Sequence, residues 1–379
     1  MTVAGYQIRL LRRTSLPGWK AALFSILAIV FGLLLFSLIF IQAGQSPREV
    51  YKQIFGYAFF NAYGLRLSIN RFIFLAFASY AFIIPYRAGL WNIGMPGQLY
   101  LGALAAFGVV YLLGGKTGDL SMPQPLVLTL MVLAALVAGA FMGGIAGFLK
   151  GKWNVNEIVV TMMLNFIAFN LVSFMIKDGG PFMNVGGRGE SFELPEAARA
   201  PLLADFPYTL VLVFLLMIGI YLLFARMSLG YQIRAFGKSP AAARYAGIRP
   251  FRISVLVFLM GGALAGLAGY HYFAAVPGVY KIARTYAYFG DLSFYGMISG
   301  LISLGNPIAT LLVALLFGGL SIGGRSAQGK LHLGFGIDYA LMGMLMISLV
   351  AFQFFYHYQI LITKKTVPQS HPTMTEDLS

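Results

Sequence analysis

Covalent chemistry needs ionisable, nucleophilic or metal-ligating side chains that can meet, and this 379-residue sequence holds few: twelve Asp and Glu, four His and no Cys. Without cysteine there are no disulfides and no thiolate metal sites. His271, His332, His357 and His371 stand far apart without ligand spacing, so no structural metal is expected. The carboxylates lie in polar stretches, near the ends of the sequence or where apolar runs begin, with Glu157, Asp291 and Asp338 closest to such runs. Ion-driven carriers and intramembrane enzymes need ionisable groups deep in hydrocarbon. The chain is therefore expected to be no enzyme, and any uphill transport to draw its energy from another subunit. Gly114, Gly115, Lys116 and Thr117 look like the end of a nucleotide-binding loop, but that pattern requires a glycine where Val110 stands.

What remains are amides beside glycine and proline. Asn92 and Gln98 flank Gly94, Pro96 and Gly97, an arrangement that can present amides and backbone groups to a neutral polar solute. Equally, the glycines can serve a tight turn whose backbone the amides satisfy. Asn154 and Asn156 precede Glu157 at the start of an apolar run, as helix caps do, with the acid at the positive helix end. The alternative to capping alone is that Asn165, two turns further, faces a polar pathway, because an unpaired amide in lipid is costly. With Asn306, which stands between Gly305 and Pro307, the candidates for a substrate pathway are Asn92, Gln98, Asn165 and Asn306.

These residues sit on apolar segments. Hydrophobic residues make up 59% of the chain and charged ones 10%, where a soluble domain carries roughly 25% charged residues. Stretches of the roughly 20 residues needed to cross a bilayer recur from residue 21 to residue 362. The expected spans are Ala21 to Ile41, Leu67 to Tyr86, Trp91 to Leu113, Pro125 to Leu149, Glu157 to Ile176, Tyr208 to Ala225, Ile253 to Tyr272, Asp291 to Leu304, Pro307 to Ile322 and Ile337 to Ile362. The expected fold is an all-α, polytopic transmembrane bundle of about ten spans. The region 42–66, with an amphipathic stretch around Tyr51 to Phe60, and the short segments either side of Asn306 and Pro307 set the count at ten plus or minus one. Trp91 to Gln98 and Gly300 to Pro307 look like irregular backbone within the membrane, which survives only when buried or lining a cavity.

The net charge of +15 reads as topology, because the bases lie between apolar runs and form no nucleic-acid face. Residues 226–252 carry six bases and no acid, whereas residues 177–207 carry five acids and three bases. The positive-inside rule then puts the first loop, the segment 1–20 and the tail 363–379 on the cytoplasmic side. Within the basic loop, Ser239 and Pro240 form a good N-cap and first helical residue, the alanines favour a short helix, and Gly247 ends it. Closely spaced glycines (143 with 147, 147 with 151, 262 with 266, 296 with 300, 319 with 323) permit tight helix contact.

Four stretches together resemble the bacterial ABC-importer permeases for simple sugars, nucleosides and branched-chain amino acids: Asn92 to Gln98, Val155 to Asn165, Gly237 to Ile248 and Gly296 to Pro307. They fall in the expected order across most of residues 67–325. Within that family the chain is most similar to the larger permease of nucleoside importers that use a basic-membrane-lipoprotein type of binding protein. The resemblance implies a type II importer fold in one transmembrane domain over residues 1–379, in the bacterial inner membrane with both termini cytoplasmic. It implies a second permease, paralogue or copy, cytoplasmic ATPases that use ATP and Mg, and an extracytoplasmic solute-binding protein. No cofactor is expected on this chain and no nucleic-acid partner.

The same resemblance makes Ser239, Pro240, Ala241, Ala242, Ala243, Arg244, Tyr245, Ala246, Gly247 and Ile248 the coupling helix that enters a groove of the ATPase. A bulky charged residue at Ala243 or Gly247 is expected to uncouple ATP hydrolysis from transport. Lys281 and Arg284 are candidates for docking the binding protein. The segment Asp291 to Tyr295 departs from the family pattern, in which a glycine-rich start to the span is usual. The expected function is translocation of a small polar solute, nucleosides first, by alternating access. The alternatives are an ABC permease for simple sugars and an ion-coupled secondary transporter of a neutral polar solute.

Overall fold

A backbone in hydrocarbon must satisfy its own hydrogen bonds, and the long apolar runs do so as helices. The computed structural model describes residues 2–3, 6–12, 18–118, 120, 122–177, 179–184, 186, 189–283, 286–334 and 336–364. Its elements in chain order are β1 (Thr2–Val3), β2 (Tyr6–Arg12), α1 (Gly18–Gln42), α2 (Pro47–Phe55), α3 (Ala62–Arg87), α4 (Met95–Leu112), α5 (Gln124–Trp153), α6 (Glu157–Ile176), β3 (Leu202–Leu203), β4 (Phe206–Pro207), α7 (Thr209–Arg226), α8 (Ser228–Lys238), α9 (Pro240–Tyr245), α10 (Pro250–Tyr270), α11 (Tyr286–Ile302), α12 (Pro307–Lys330), α13 (Ile337–His357) and β5 (Tyr358–Lys364). Among the described residues nine helices are long and apolar enough to cross a membrane, and Leu292–Ile302 within α11 is a shorter apolar stretch.

These ten match the expected spans, with revisions at their ends. The third begins as helix only at Met95, after an irregular segment in which Ala88, Leu90, Asn92 and Gly94 are buried. α11 starts at Tyr286, so Asp291 lies within the helix and not at its start. α12 runs past Ile322 to Lys330, because Gly323 and Gly324 are contact points and not a stop. A Cβ on Gly323 would strike the Ile54 carbonyl, and one on Gly324 would lie 3.1 Å from Asp338 Cβ. The last helix ends at His357, and Tyr358–Lys364 is a strand. The sheet order is β1-β2-β5, with Tyr6 opposite Lys364 and Arg12 opposite Tyr358. Tail residues 365–379, and Arg13 and Arg284, lie outside the described residues.

The described residues form two compact units, one up to Ile39 and from Gly343 onward, the other from Phe40 to Met342. In the first, α1 runs antiparallel to the later part of α13, with Phe24 on Phe355 at 5.8 Å and Phe31 on Phe352 at 5.7 Å between ring centroids. Gly32 leaves room there for Ser348.

In the second unit α3 is almost wholly enclosed, packed against α10, α11 and α12. Lipid tails are as apolar as leucine, so helices associate here through close van der Waals packing. The antiparallel pair α5 and α10 shows it best: a Cβ on Gly139 would strike the Gly262 carbonyl, one on Gly262 the Gly139 carbonyl, and one on Gly143 the Phe258 carbonyl. Gly147 meets Ser254 and Gly151 meets Phe251 along the same seam. The expected 319 with 323 pair packs on Phe59 and Ile54, and the 296 with 300 pair on Ala78 and Ile83.

Candidate functional site

Two groups of residues emerge in the larger unit. The first is the irregular segment before α4. Asn92 and Gln98 hold each other face to face, Asn92 Nδ2 donating to Gln98 Oε1 at 2.9 Å and Gln98 Nε2 donating to Asn92 Oδ1 at 3.0 Å. The Gly94 amide also donates to Asn92 Oδ1 at 3.2 Å. From α6, Asn165 Nδ2 donates to the Ile93 carbonyl at 3.1 Å, and its Oδ1 accepts from the Gly97 amide at 2.9 Å. A Cβ on Gly97 would lie 2.7 Å from Asn165 Oδ1, so glycine there is what lets α6 come close. All three amides are buried.

The structure thus gathers Asn92, Gln98 and Asn165 into one uncharged, hydrogen-bonded cluster. Asn306 stands elsewhere: its Oδ1 accepts from the Ile308 and Ala309 amides and caps α12. The start of α6 is built as its sequence suggests. Asn156 accepts from the Ile158 amide at 3.0 Å, Asn154 closes α5 in a left-handed conformation, and Lys150 pairs with Glu157 at 3.0 Å.

The second group surrounds α9. Ser239 Oγ accepts from the Ala242 amide at 3.3 Å, Pro240 opens the helix, and Gly247 at φ +81° ends it, its amide donating to Arg244 O at 3.1 Å. Ala243 is buried, so a bulky residue there meets packed neighbours. The outward face carries Ala241, Ala242, Arg244 and Tyr245, and Tyr245 is 95% exposed.

Against the end of α8 sits Arg87, the last residue of α3, which sequence reasoning counted only as a topological charge. Its Nε donates to the Gly305 carbonyl at 3.0 Å and its guanidinium carbon lies 5.5 Å from the centroid of the Phe224 ring. The Gly305 turn joins α11 to α12 with Leu304 and Gly305 both left-handed, at φ +52° and +67°. On the other flank, Gly237 at the end of α8 is packed so close that a Cβ would strike the Arg87 carbonyl. One short turn, Arg87 to Gly89, therefore touches both the end of α8, just before α9, and the reversal between α11 and α12. The signal in sequence is a lone base closing a long apolar run, followed by Ala88 and Gly89.

Elsewhere, Lys281 pairs with Glu190 at 2.6 Å, and the Ser191 amide donates to the Ile282 carbonyl at 2.9 Å, tying two loops together. His271 is buried, its Nδ1 2.8 Å from Thr209 Oγ1 and its Nε2 3.1 Å from the Asn70 carbonyl. No group of metal-ligating side chains meets among the described residues.

Comparison with known proteins agrees with this architecture. A family model described as the permease component of branched-chain amino acid transport systems matches residues 64–350. A glucose ABC transporter permease of Haloferax volcanii is 29% identical, over 93% of this chain and 93% of its own. A nucleoside ABC transporter permease of Lactococcus lactis is 29% identical over 80% of this chain and 84% of its own, and a guanosine ABC transporter permease of Bacillus subtilis is 28% identical over 79% and 84%. With the match extending from α3 into α13, the chain belongs to the family of branched-chain amino acid transport system permeases and is a membrane permease of the ABC-importer kind.

Proposed function

We propose that this chain is one of two permeases in an importer that carries a neutral polar solute inward by alternating access, nucleosides foremost and simple sugars as the second reading. Relatives named for glucose, nucleosides and guanosine support both solute classes. The uncharged cluster of Asn92, Gln98 and Asn165 suits a neutral solute, and we assign it to the wall of the pathway, with Asn306 at the turn that opens α12. The driving ATPase, which holds ATP and Mg, a second permease, paralogue or copy, and an extracytoplasmic binding protein complete the machine. This chain itself holds no cofactor.

The observation that carries the proposal is α9: a capped helix with an aromatic side chain standing in solvent, following α8, whose end packs on Arg87. Exposed tyrosines are frequent anchors at protein interfaces. Six bases and no acid in residues 226–252 support a cytoplasmic side for this face, where an ATPase could reach it. The side-by-side strands Tyr6–Arg12 and Tyr358–Lys364 support placing both termini on one side of the membrane. Motion of α9 passes through Gly237 and Arg87 to the turn at Gly305 and so to α11 and α12.

The test is reconstitution with the co-expressed ATPase. Gly247→Glu, which alters the end of α9 at a position with open space around it, should leave ATP hydrolysis measurable and lower uptake about tenfold or more. Unchanged uptake per ATP in that variant would remove α9 from the coupling role. An ion-coupled carrier would instead take up solute without the ATPase and stop when an uncoupler is added.

A further inference from the structure

α12 has two ends, and the one remote from Asn306 and Gly305 carries a second polar site. A cavity of about 410 Å³ between α5 and α7 is lined by apolar side chains, whereas a cavity of about 590 Å³ at the meeting of α12 and α13 is lined by Arg325, Gln328, His332, Asp338 and Tyr339. The latter size lies within the roughly 300–1,000 Å³ of small-molecule sites. A narrower extension past Ser321 and Tyr295 shares Arg325, Asp338 and Tyr339 with it.

Asp338 is the unusual member. It is 5% exposed, pinned where Gly324 lets α12 lie against it. Arg325 Nη2 stands 3.7 Å from Asp338 Oδ2, an ion pair too long for a hydrogen bond. Its carboxylate lines the cavity, with Arg325 as its ion-pair partner. A solute that enters the cavity can donate to this carboxylate in place of solvent. A cation would face Arg325 and an anion would face Asp338. A neutral molecule with two adjacent hydroxyls suits both: it donates to the carboxylate and accepts from the guanidinium, whose five N–H groups can serve more than one partner.

We infer that the cavity between Arg325 and Asp338 binds the vicinal hydroxyl pair of a neutral sugar or ribose ring, at the end of the permease opposite α9. The inference rests on the proposed function, whose two solute classes share this grouping, and on that reading it is where solute first meets the permease on the outer side. Asp338 selects the diol, Arg325 completes the pair of contacts, and Tyr339 walls one side of the ring.

The experiment is saturation-transfer NMR on the full chain in lipid nanodiscs, with adenosine, D-glucose and 2′,3′-dideoxyadenosine as probes. Wild-type chain should transfer saturation to the protons on the hydroxyl-bearing carbons of adenosine and glucose. Dideoxyadenosine, and adenosine on Asp338→Asn, should give signals lower by about tenfold or more, as expected where a site built for hydroxyls loses them. Arg325→Gln, a change at a half-exposed side chain, should give the same loss independently of how Asp338→Asn folds. Equal signals from wild type and both variants, equal signals from adenosine and its dideoxy analogue, or no signal from any probe on wild type would overturn the site. ATP-dependent uptake by the assembled importer reads the function separately. Uptake without the Asp338-dependent signal keeps the function and removes the site; the signal without ATP-dependent uptake does the reverse.

Discussion

At the scale of single residues, the informative side chains are those whose partners belong to other elements. Asn165 holds two backbone groups of the segment before α4, the Gly97 amide and the Ile93 carbonyl. Asn165→Ala leaves both without a partner in a buried place, at about 1–3 kcal/mol each. We expect a clear fall in the unfolding temperature of the detergent-solubilised protein, with Asn165→Asp intermediate because it keeps the acceptor and loses the donor. Arg87 acts differently, through its charged hydrogen bond to Gly305 and its stacking on Phe224. Such bonds contribute about 1.5–3 kcal/mol. Arg87→Ala should therefore reduce uptake in the reconstituted importer about tenfold while ATP hydrolysis continues, and Arg87→Lys, which keeps charge but not the planar fork, should recover only part. Full transport in Arg87→Ala would show that α9 communicates by another route. Tyr245, being exposed, should be dispensable for stability, within about 0.5 kcal/mol. Tyr245→Ala should nevertheless weaken association with the ATPase about tenfold or more in a pull-down titration.

At the scale of elements, hydropathy alone made most of the helices legible, because about 20 apolar residues in a row have few other fates. The caps of α9 were legible too, since Ser239, Pro240 and Gly247 each act on their own immediate backbone. What sequence concealed depends on distant partners. The pairing of Tyr6–Arg12 with Tyr358–Lys364 joins segments from opposite ends of the sequence, and the apolar run Ile360 to Ile362 reads equally well as the end of a helix. Gly323 and Gly324 look like a helix stop until Ile54 and Asp338 are seen against them. Ala243 belongs to a run of similar alanines, and nothing local marks it as the one turned inward. Of the pathway candidates, Asn92, Gln98 and Asn165 meet, and spacing could not show that Asn306 caps a helix apart from them. The seam of α5 with α10 was suggested by glycine spacing, but its register was not. That register predicts that Gly262→Val, whose side chain would strike Gly139, overpacks the seam at a cost of about 1–3 kcal/mol or more. Thermal denaturation in detergent should show it, whereas Gly219→Val, with open space at its Cβ, should be nearly silent.

At the scale of the whole molecule, the described residues bury few ionisable side chains, Arg71, Glu157, His271 and Asp338 among them, for a driving ion to use. Where α3, α7 and α11 end, three chain reversals converge on Arg87, beside the end of α8 that leads into α9 with its exposed Tyr245. Such a layout suits a permease whose energy arrives by contact from a partner. On the proposed function, solute movement by this chain depends on ATP hydrolysed by a partner. The most direct measurement is uptake of radiolabelled purine nucleoside into proteoliposomes that contain this chain, its co-expressed ATPase, any companion permease and the binding protein. We expect uptake that requires ATP and every component, that is competed by other nucleosides, and that is insensitive to an uncoupler. Uptake that persists without the ATPase and collapses with the uncoupler would contradict the claim.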